Sequence, residues 1–319
     1  RQPGSIFKPF IYMTALENYD NEHIPFSTNY KIYNQPLNIP IDDIDSFNPQ
    51  NHDMSTGGLT TLREGLKRSL NLISVRLISK IKNGPMQVKN KARQFGFSTP
   101  IYPGEALALG SSDVIPLEMT SAYSAIANNG ILTKPKYINR IENSLGKVLD
   151  NNMTEQEFAE KEEALIFIIR NMMKDVIKYG TGRRARTLSR NDIGGKTGTT
   201  NDQRDAWFCG FNRNVVTTSF IGFDDYSPLG KKEFGSSAAL PIWIEFMKEA
   251  LKKQPSVHLE LPEDLVSVSI DSKTGLLASP NSKKTIKEIF RKENVPKTFT
   301  NEQNVFSEDK DDVVPELIF

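Results

Sequence analysis

The chain carries two rhythms of hydrophobic and polar positions. Residues 5–18 read as a helix with Phe7, Phe10, Ile11 and Thr14 near one face. Pro9 lies close enough to its start to be tolerated. Residues 20–58 lose the rhythm; rich in Asn, Asp, Pro and Tyr, they read as a long surface excursion. Thr60 or Thr61 then caps a strong helical pattern that continues towards Ile81. Further helices are predicted over 85–96, 116–129 and 160–178, the last ended by Gly180. Between them, residues 137–149 predict a hairpin turning at Asn143-Ser144-Leu145-Gly146.

After Gly180 the period shortens. Residues 192–200, 205–211 and 215–223 are β-rich runs separated by turns at Asn201-Asp202 and Asn212-Arg213-Asn214, the pattern of an antiparallel meander. Residues 236–253 return to helix, with Ala239, Ile242, Trp243, Phe246 and Ala250 on one side, and 266–270 predict one more strand. Helices flanking an antiparallel sheet imply an α/β domain of the α+β type. The expected division is a main domain over 1–255, a small β-containing extension over 256–295, and a polar tail over 296–319. That tail holds an acidic run at 308–312 and is expected to be mobile.

Composition narrows the function classes. A hydrophobic share of 38% and a charged share of 25% over 319 residues are ordinary for a globular protein. A formal net charge of +1 carries no footprint for nucleic acid. No apolar run approaches the roughly 20 residues that span a bilayer, and no signal-like segment opens the chain. The first residue is Arg1 rather than Met, so residues are expected upstream. The single cysteine, Cys209, excludes an internal disulfide and reads as a small buried hydrophobe between Phe208 and Gly210. His23, His52 and His258 are far apart, without metal-ligand spacing; neither metal nor cofactor is expected.

Three short motifs carry candidate chemistry. In Ser5-Ile6-Phe7-Lys8 a hydroxyl and an amine share a helical face one turn apart. A serine is a poor nucleophile until a base takes its proton, and a lysine serves if burial lowers its pKa. In Ser69-Leu70-Asn71 the polar residues cannot share a face of a regular helix. A break there would aim both into a cleft, Ser69 to relay a proton and Asn71 to hold a substrate amide, although a plain N-cap reads equally well. In Lys196-Thr197-Gly198-Thr199 a strand offers a charge, two hydroxyls for a carboxylate, and a glycine where a substrate can lie. The phosphate-loop reading of Gly195-Lys196-Thr197 is set aside, because Arg190 stands where its first glycine belongs and the run lies in a strand.

Each motif alone arises easily by chance. In this order, Ser-x-x-Lys, Ser-x-Asn and Lys-Thr-Gly resemble the signature of penicillin-binding proteins and serine β-lactamases. The resemblance extends through Arg1-Gln2-Pro3-Gly4-Ser5-Ile6-Phe7-Lys8-Pro9-Phe10, through Thr61-Leu62-Arg63-Glu64-Gly65-Leu66, through Gly180-Thr181-Gly182-Arg183-Arg184-Ala185-Arg186, and through Asp205-Ala206-Trp207-Phe208 and Gly222-Phe223-Asp224-Asp225. Over most of residues 1–275 the chain is similar to the transpeptidase portion of class A, bifunctional penicillin-binding proteins, the 1a type of Gram-negative bacteria.

The resemblance implies the penicillin-binding, serine β-lactamase-like transpeptidase fold, lacking the strands that family members carry upstream of the nucleophile. It implies Ser5 as nucleophile on D-Ala-D-Ala stem peptides and Lys8 as base. Ser69 and Lys196 would move the proton, and Asn71, Thr197, Gly198 and Thr199 would bind substrate. The backbone N–H groups of Ser5 and Thr199 would form the oxyanion hole. β-Lactams would acylate the same serine. Implied partners are stem peptides as donor and amine acceptor, periplasmic activators and other cell-wall synthesis proteins, at the periplasmic face of the inner membrane. A D,D-carboxypeptidase and an inactive peptidoglycan-binding scaffold remain alternatives. So does a β-lactamase, for which no deacylating glutamate in its Leu-Asn context is found. The run at 155–163 stands where the 1a type often carries an inserted module.

Overall fold

The computed structural model describes residues 1–40, 45–151 and 155–300. A 3-10 turn, Gly4–Phe7, runs straight into α1, Lys8–Leu16. Every residue of α1 is buried, so the expected single apolar face is corrected to a helix covered all round. Such a helix belongs at the centre of a core. Phe10 lies 5.3–5.4 Å from the rings of Phe7, Phe95 and Phe97 and 6.3 Å from Tyr123.

The expected surface excursion is also corrected. Around β1, Lys31–Tyr33, the side chains of Phe26, Ile32, Leu37 and Ile39 enter the main core. β2, Ile39–Pro40, pairs with β3, Ser46–Phe47, and β4, Leu59–Thr61, returns antiparallel to β1. These inward side chains are spaced by turns rather than by any period, so the polar composition between them conceals them.

β4 leads into α2, Leu62–Arg68, whose first turn is capped by Thr61 Oγ1 accepting the Glu64 N–H at 3.2 Å. The helix stops at Ser69, whose φ of 60° is left-handed, and α3, Asn71–Lys80, starts afresh. The predicted break is therefore present. α4, Gly84–Gln94, and α5, Pro116–Ala127, follow as predicted. β5, Ile131–Thr133, precedes the predicted hairpin, formed by β6, Arg140–Glu142, and β7, Val148–Asn151. The chain then returns through β8, Gln156–Phe158, to pair with β5 before α6, Glu163–Lys178.

The meander is β9, Gly194–Thr199, β10, Asp205–Phe211, and β11, Val216–Gly222, antiparallel in the order β11-β10-β9. Its centre strand is buried at every position. Alternate side chains leave opposite faces of a strand. Trp207, Cys209 and Phe211 accordingly join the core around α1, whereas Ala206 and Phe208 join a second core built on α7, Leu240–Ala250. On α7 the buried residues are Leu240, Trp243, Ile244 and Met247, while Ile242 and Phe246 are each about half exposed. This corrects the predicted face. A π-type turn, Gly235–Ala239, precedes the helix, and inside it the buried positions keep the i, i+3, i+4, i+7 spacing of a regular face.

Beyond α7, β12, Leu265–Asp271, pairs with β13, Thr285–Arg291. β13 gave no sequence signal because one of its inward residues is charged. Glu288 is 2% exposed and takes the guanidinium fork of Arg63, Nε to Oε2 at 2.7 Å and Nη2 to Oε1 at 2.5 Å. Arg63 also reaches Asp175 of α6 at 2.8 Å, tying the hairpin to α2 and α6. The acidic run at 308–312 lies outside the described residues.

Removing one partner of a buried ion pair leaves the other charge uncompensated, at a cost of about 3–5 kcal/mol. Glu288→Ala is expected to lower stability by about 3 kcal/mol in urea unfolding. A loss below about 1 kcal/mol would mean that the hairpin does not brace α2.

Candidate active site

The first motif straddles the junction of the 3-10 turn and α1, with Ser5 on the turn and Lys8 the first residue of the helix. Close contact presses the turn onto β9. Gly4 has a φ of +56°, and a Cβ there would lie 2.9 Å from the Thr199 carbonyl oxygen. A Cβ on Gly198 would lie 2.7 Å from the Pro3 carbonyl oxygen. The Trp207 indole N–H donates to the Gln2 carbonyl at 3.0 Å and the Tyr123 hydroxyl to the Ile6 carbonyl at 2.7 Å. Ser5 itself is half-buried.

The three motifs converge on Ser69. Lys8 Nζ donates to the Ser69 carbonyl and to Asn71 Oδ1, both at 2.7 Å, with Ser69 Oγ at 3.4 Å. From β9, Lys196 Nζ donates to Ser69 Oγ at 2.7 Å and to the Thr197 carbonyl at 3.1 Å. At the left-handed Ser69 the carbonyl faces Lys8 and the hydroxyl lies within reach of both amines. Both lysines are fully buried. Burial, and then the charge of Lys196, hold Lys8 well below its ordinary value. Burial alone brings Lys196 down to about 7. An amine that sheds its proton near neutral pH can act as a base, and a hydroxyl between two such amines can pass a proton.

The remaining motif residues are held by partners that the sequence did not assign. Asn71, expected to hold a substrate amide, points Oδ1 at Lys8 and donates from Nδ2 to the Gln50 carbonyl at 2.7 Å. The Thr197 hydroxyl pairs with the Thr181 hydroxyl at 2.7 Å. Thr199 Oγ1 accepts the Gly235 N–H at 3.0 Å, which leaves its own proton free to donate. Thr181 lay in a stretch noted for resemblance but given no role. Gln50 lay in a segment read as surface. The His52 ring meets Phe234 edge-on at 4.4 Å, joining that segment to the residue before Gly235. Cys209 is buried, its thiol pushed up to about 12 by burial, which leaves it inert as a nucleophile at neutral pH.

Residues 1–228 match the family model for the penicillin binding protein transpeptidase domain, and residues 261–304 match that for the penicillin-binding protein 1A C-terminal domain. Penicillin-binding protein 1A of Pseudomonas aeruginosa is 34% identical over 93% of this chain and 41% of its own length. The crystal structure of penicillin-binding protein 1A from Haemophilus influenzae superposes with a TM-score of 0.86 at 32% identity, covering 94% of this chain and 49% of that one. PonA1 of Mycobacterium tuberculosis, solved in complex with penicillin V, superposes at 0.69 with 26% identity, over 82% of this chain and 72% of that one. The chain thus spans less than half the length of the two penicillin-binding protein 1A relatives.

The Lys196 amine has a testable effect on stability. Its native pKa of about 7 lies below the ordinary 10.5, so between those values the unfolded chain holds the extra proton. Stability then rises with pH, by up to about 1.4 kcal/mol per unit, and Lys8 acts in the same direction. Ionisation of the unfolded Cys209 thiol, ordinary value 9.0, opposes this at higher pH. The urea midpoint is expected to climb from pH 7 to 8.5, and to climb less in Lys196→Met. A flat native profile over that window would show that Lys196 keeps its charge when folded.

Proposed function

The chain belongs to the penicillin-binding protein transpeptidase family, and from that premise we propose that it carries a serine D,D-transpeptidase site inhibited by β-lactams. Ser5 Oγ attacks the penultimate D-Ala carbonyl of a peptidoglycan stem peptide while Lys8 takes its proton. The tetrahedral oxyanion is held by the backbone N–H groups of Ser5 and Thr199. As the C–N bond breaks, Ser69 and Lys196 deliver a proton to the departing D-Ala amine. The Ser5 ester then passes to an amine on a second stem, which forms the cross-link. Thr197 and Thr199 take the terminal carboxylate, Gly198 leaves room for the substrate, and Asn71 orients it.

The observation that carries this reading is the Ser69 hydroxyl between two buried amines, Lys196 at 2.7 Å and Lys8 at 3.4 Å. The catalytic unit spans 1–255 and a β-containing extension spans 256–295. In the whole protein the site serves a bifunctional cell-wall synthase at the periplasmic face of the inner membrane. Its partners there are stem peptides, periplasmic activators and other cell-wall synthesis proteins.

A fluorescent penicillin is expected to label the native chain stoichiometrically and to leave Ser5→Ala unlabelled after denaturing electrophoresis. Label that persists on Ser5→Ala would remove Ser5 from the mechanism. Rapid release of the label by hydrolysis would point to a β-lactamase instead.

A further inference from the structure

α3 begins without a cap of its own. Its N-cap residue is Leu70, which has no side-chain acceptor, yet the first N–H groups of a helix need partners. Asn51, from the segment between β3 and β4, supplies them. Its Oδ1 accepts the Asn71 N–H at 2.7 Å and the Leu72 N–H at 3.2 Å. Its Nδ2 donates to Asn34 Oδ1 at 2.7 Å and to the Ser55 carbonyl at 2.6 Å. Asn51 and Asn34 are 2% and 3% exposed. An asparagine amide offers two donors and two acceptor positions, and here each is used.

The neighbouring residue completes the hold. Asn71 is fixed at its backbone N–H by Asn51 and at its side-chain Nδ2 by the Gln50 carbonyl. What remains is Oδ1, which lies 2.7 Å from Lys8 Nζ. The far side of the segment is anchored as well, through the His52 contact with Phe234.

We propose that Asn51 is a positioning residue for acyl transfer, setting the place of Lys8 through Asn71 and the start of α3. This rests on the transpeptidase reading of the site. The identity of residue 51 matters in a particular way. A carboxylate there would still cap α3 but would set an acceptor against the Ser55 carbonyl. It would also bring a negative charge to within one residue of the lysine's partner, favouring the Lys8 ammonium.

The test is the acylation rate at saturating fluorescent penicillin, measured against pH in the native chain, Asn51→Ala and Asn51→Asp, with thermal melts alongside. Asn51→Ala is expected to slow acylation about tenfold. Asn51→Asp, which keeps the cap, is expected to move the acidic limb of the profile to higher pH by at least about half a unit. Asn34→Ala removes only the outer support, so a smaller loss is expected, and it serves where Asn51→Ala fails to fold. Variants that melt earlier yet acylate at the native rate with an unmoved acidic limb would reduce Asn51 to a structural cap. A native chain that takes no label would sink the acyl-transfer reading itself, an outcome that the comparison of variants keeps separate.

Discussion

Everything around the site answers one constraint: two buried lysine amines share one hydroxyl. An ammonium in a dry interior loses several kcal/mol of hydration, and a second one beside it adds repulsion. Lys8 and Lys196 are both fully covered, and Ser69 Oγ lies within 3.4 Å of each. Two responses are built in. Each amine has carbonyl or hydroxyl acceptors within hydrogen-bond reach, so neither is orphaned. Each also has its proton affinity lowered, so that the pair need not carry two charges at neutral pH.

That arrangement requires three segments, distant in sequence, to meet within a few ångströms. The start of α1 brings Lys8, the left-handed break between α2 and α3 brings Ser69 and Asn71, and β9 brings Lys196. Each is held from outside the site. The 3-10 turn ahead of α1 is pressed on β9 where glycines allow the backbones to touch. The break is held by Asn51 and Gln50 on one side and, through α2, by Arg63 against Glu288 and Asp175 on the other. β9 is held by β10, whose alternating side chains lock two cores together. The candidate catalytic side chains are thus supported by residues outside the proposed chemistry.

This division explains what could be read from the sequence. The candidate groups were legible because acyl-transfer chemistry calls for particular residue types at short spacing: Ser5 with Lys8, Ser69 with Asn71, Lys196 with Thr197. The meander and the helix break were legible because Gly, Asn and Asp mark turns and a Ser-x-Asn pair disrupts a helical period. The supports were not. Asn51 caps a helix twenty residues away, and an asparagine in a polar loop carries no mark of such a task. Glu288 is a charged residue turned inwards, so β13 lacks the alternation of an ordinary strand. α7 buries a different face from the expected one, because Ile242 and Phe246 give its outer side a second apolar stripe beside Leu240, Trp243, Ile244 and Met247.

The contacts also give the proposed proton transfers a direction. A neutral amine has two N–H donors and one lone pair. Around Lys8, the Ser69 carbonyl and Asn71 Oδ1 at 2.7 Å take two N–H bonds, and the Ser69 hydroxyl stands at 3.4 Å as the third neighbour. The two amines are equally buried, but Lys8 is lowered by the charge of Lys196 in addition to burial, whereas Lys196 is lowered by burial alone. In the proposed mechanism Lys8 is the base and Lys196, beyond Ser69, is the acid. On this mechanism the proton leaves Ser5 towards Lys8 and reaches the departing amine from the Lys196 side. Ser69 is the only hydroxyl seen to touch both lysines among the described residues, and it stands at the left-handed break between α2 and α3.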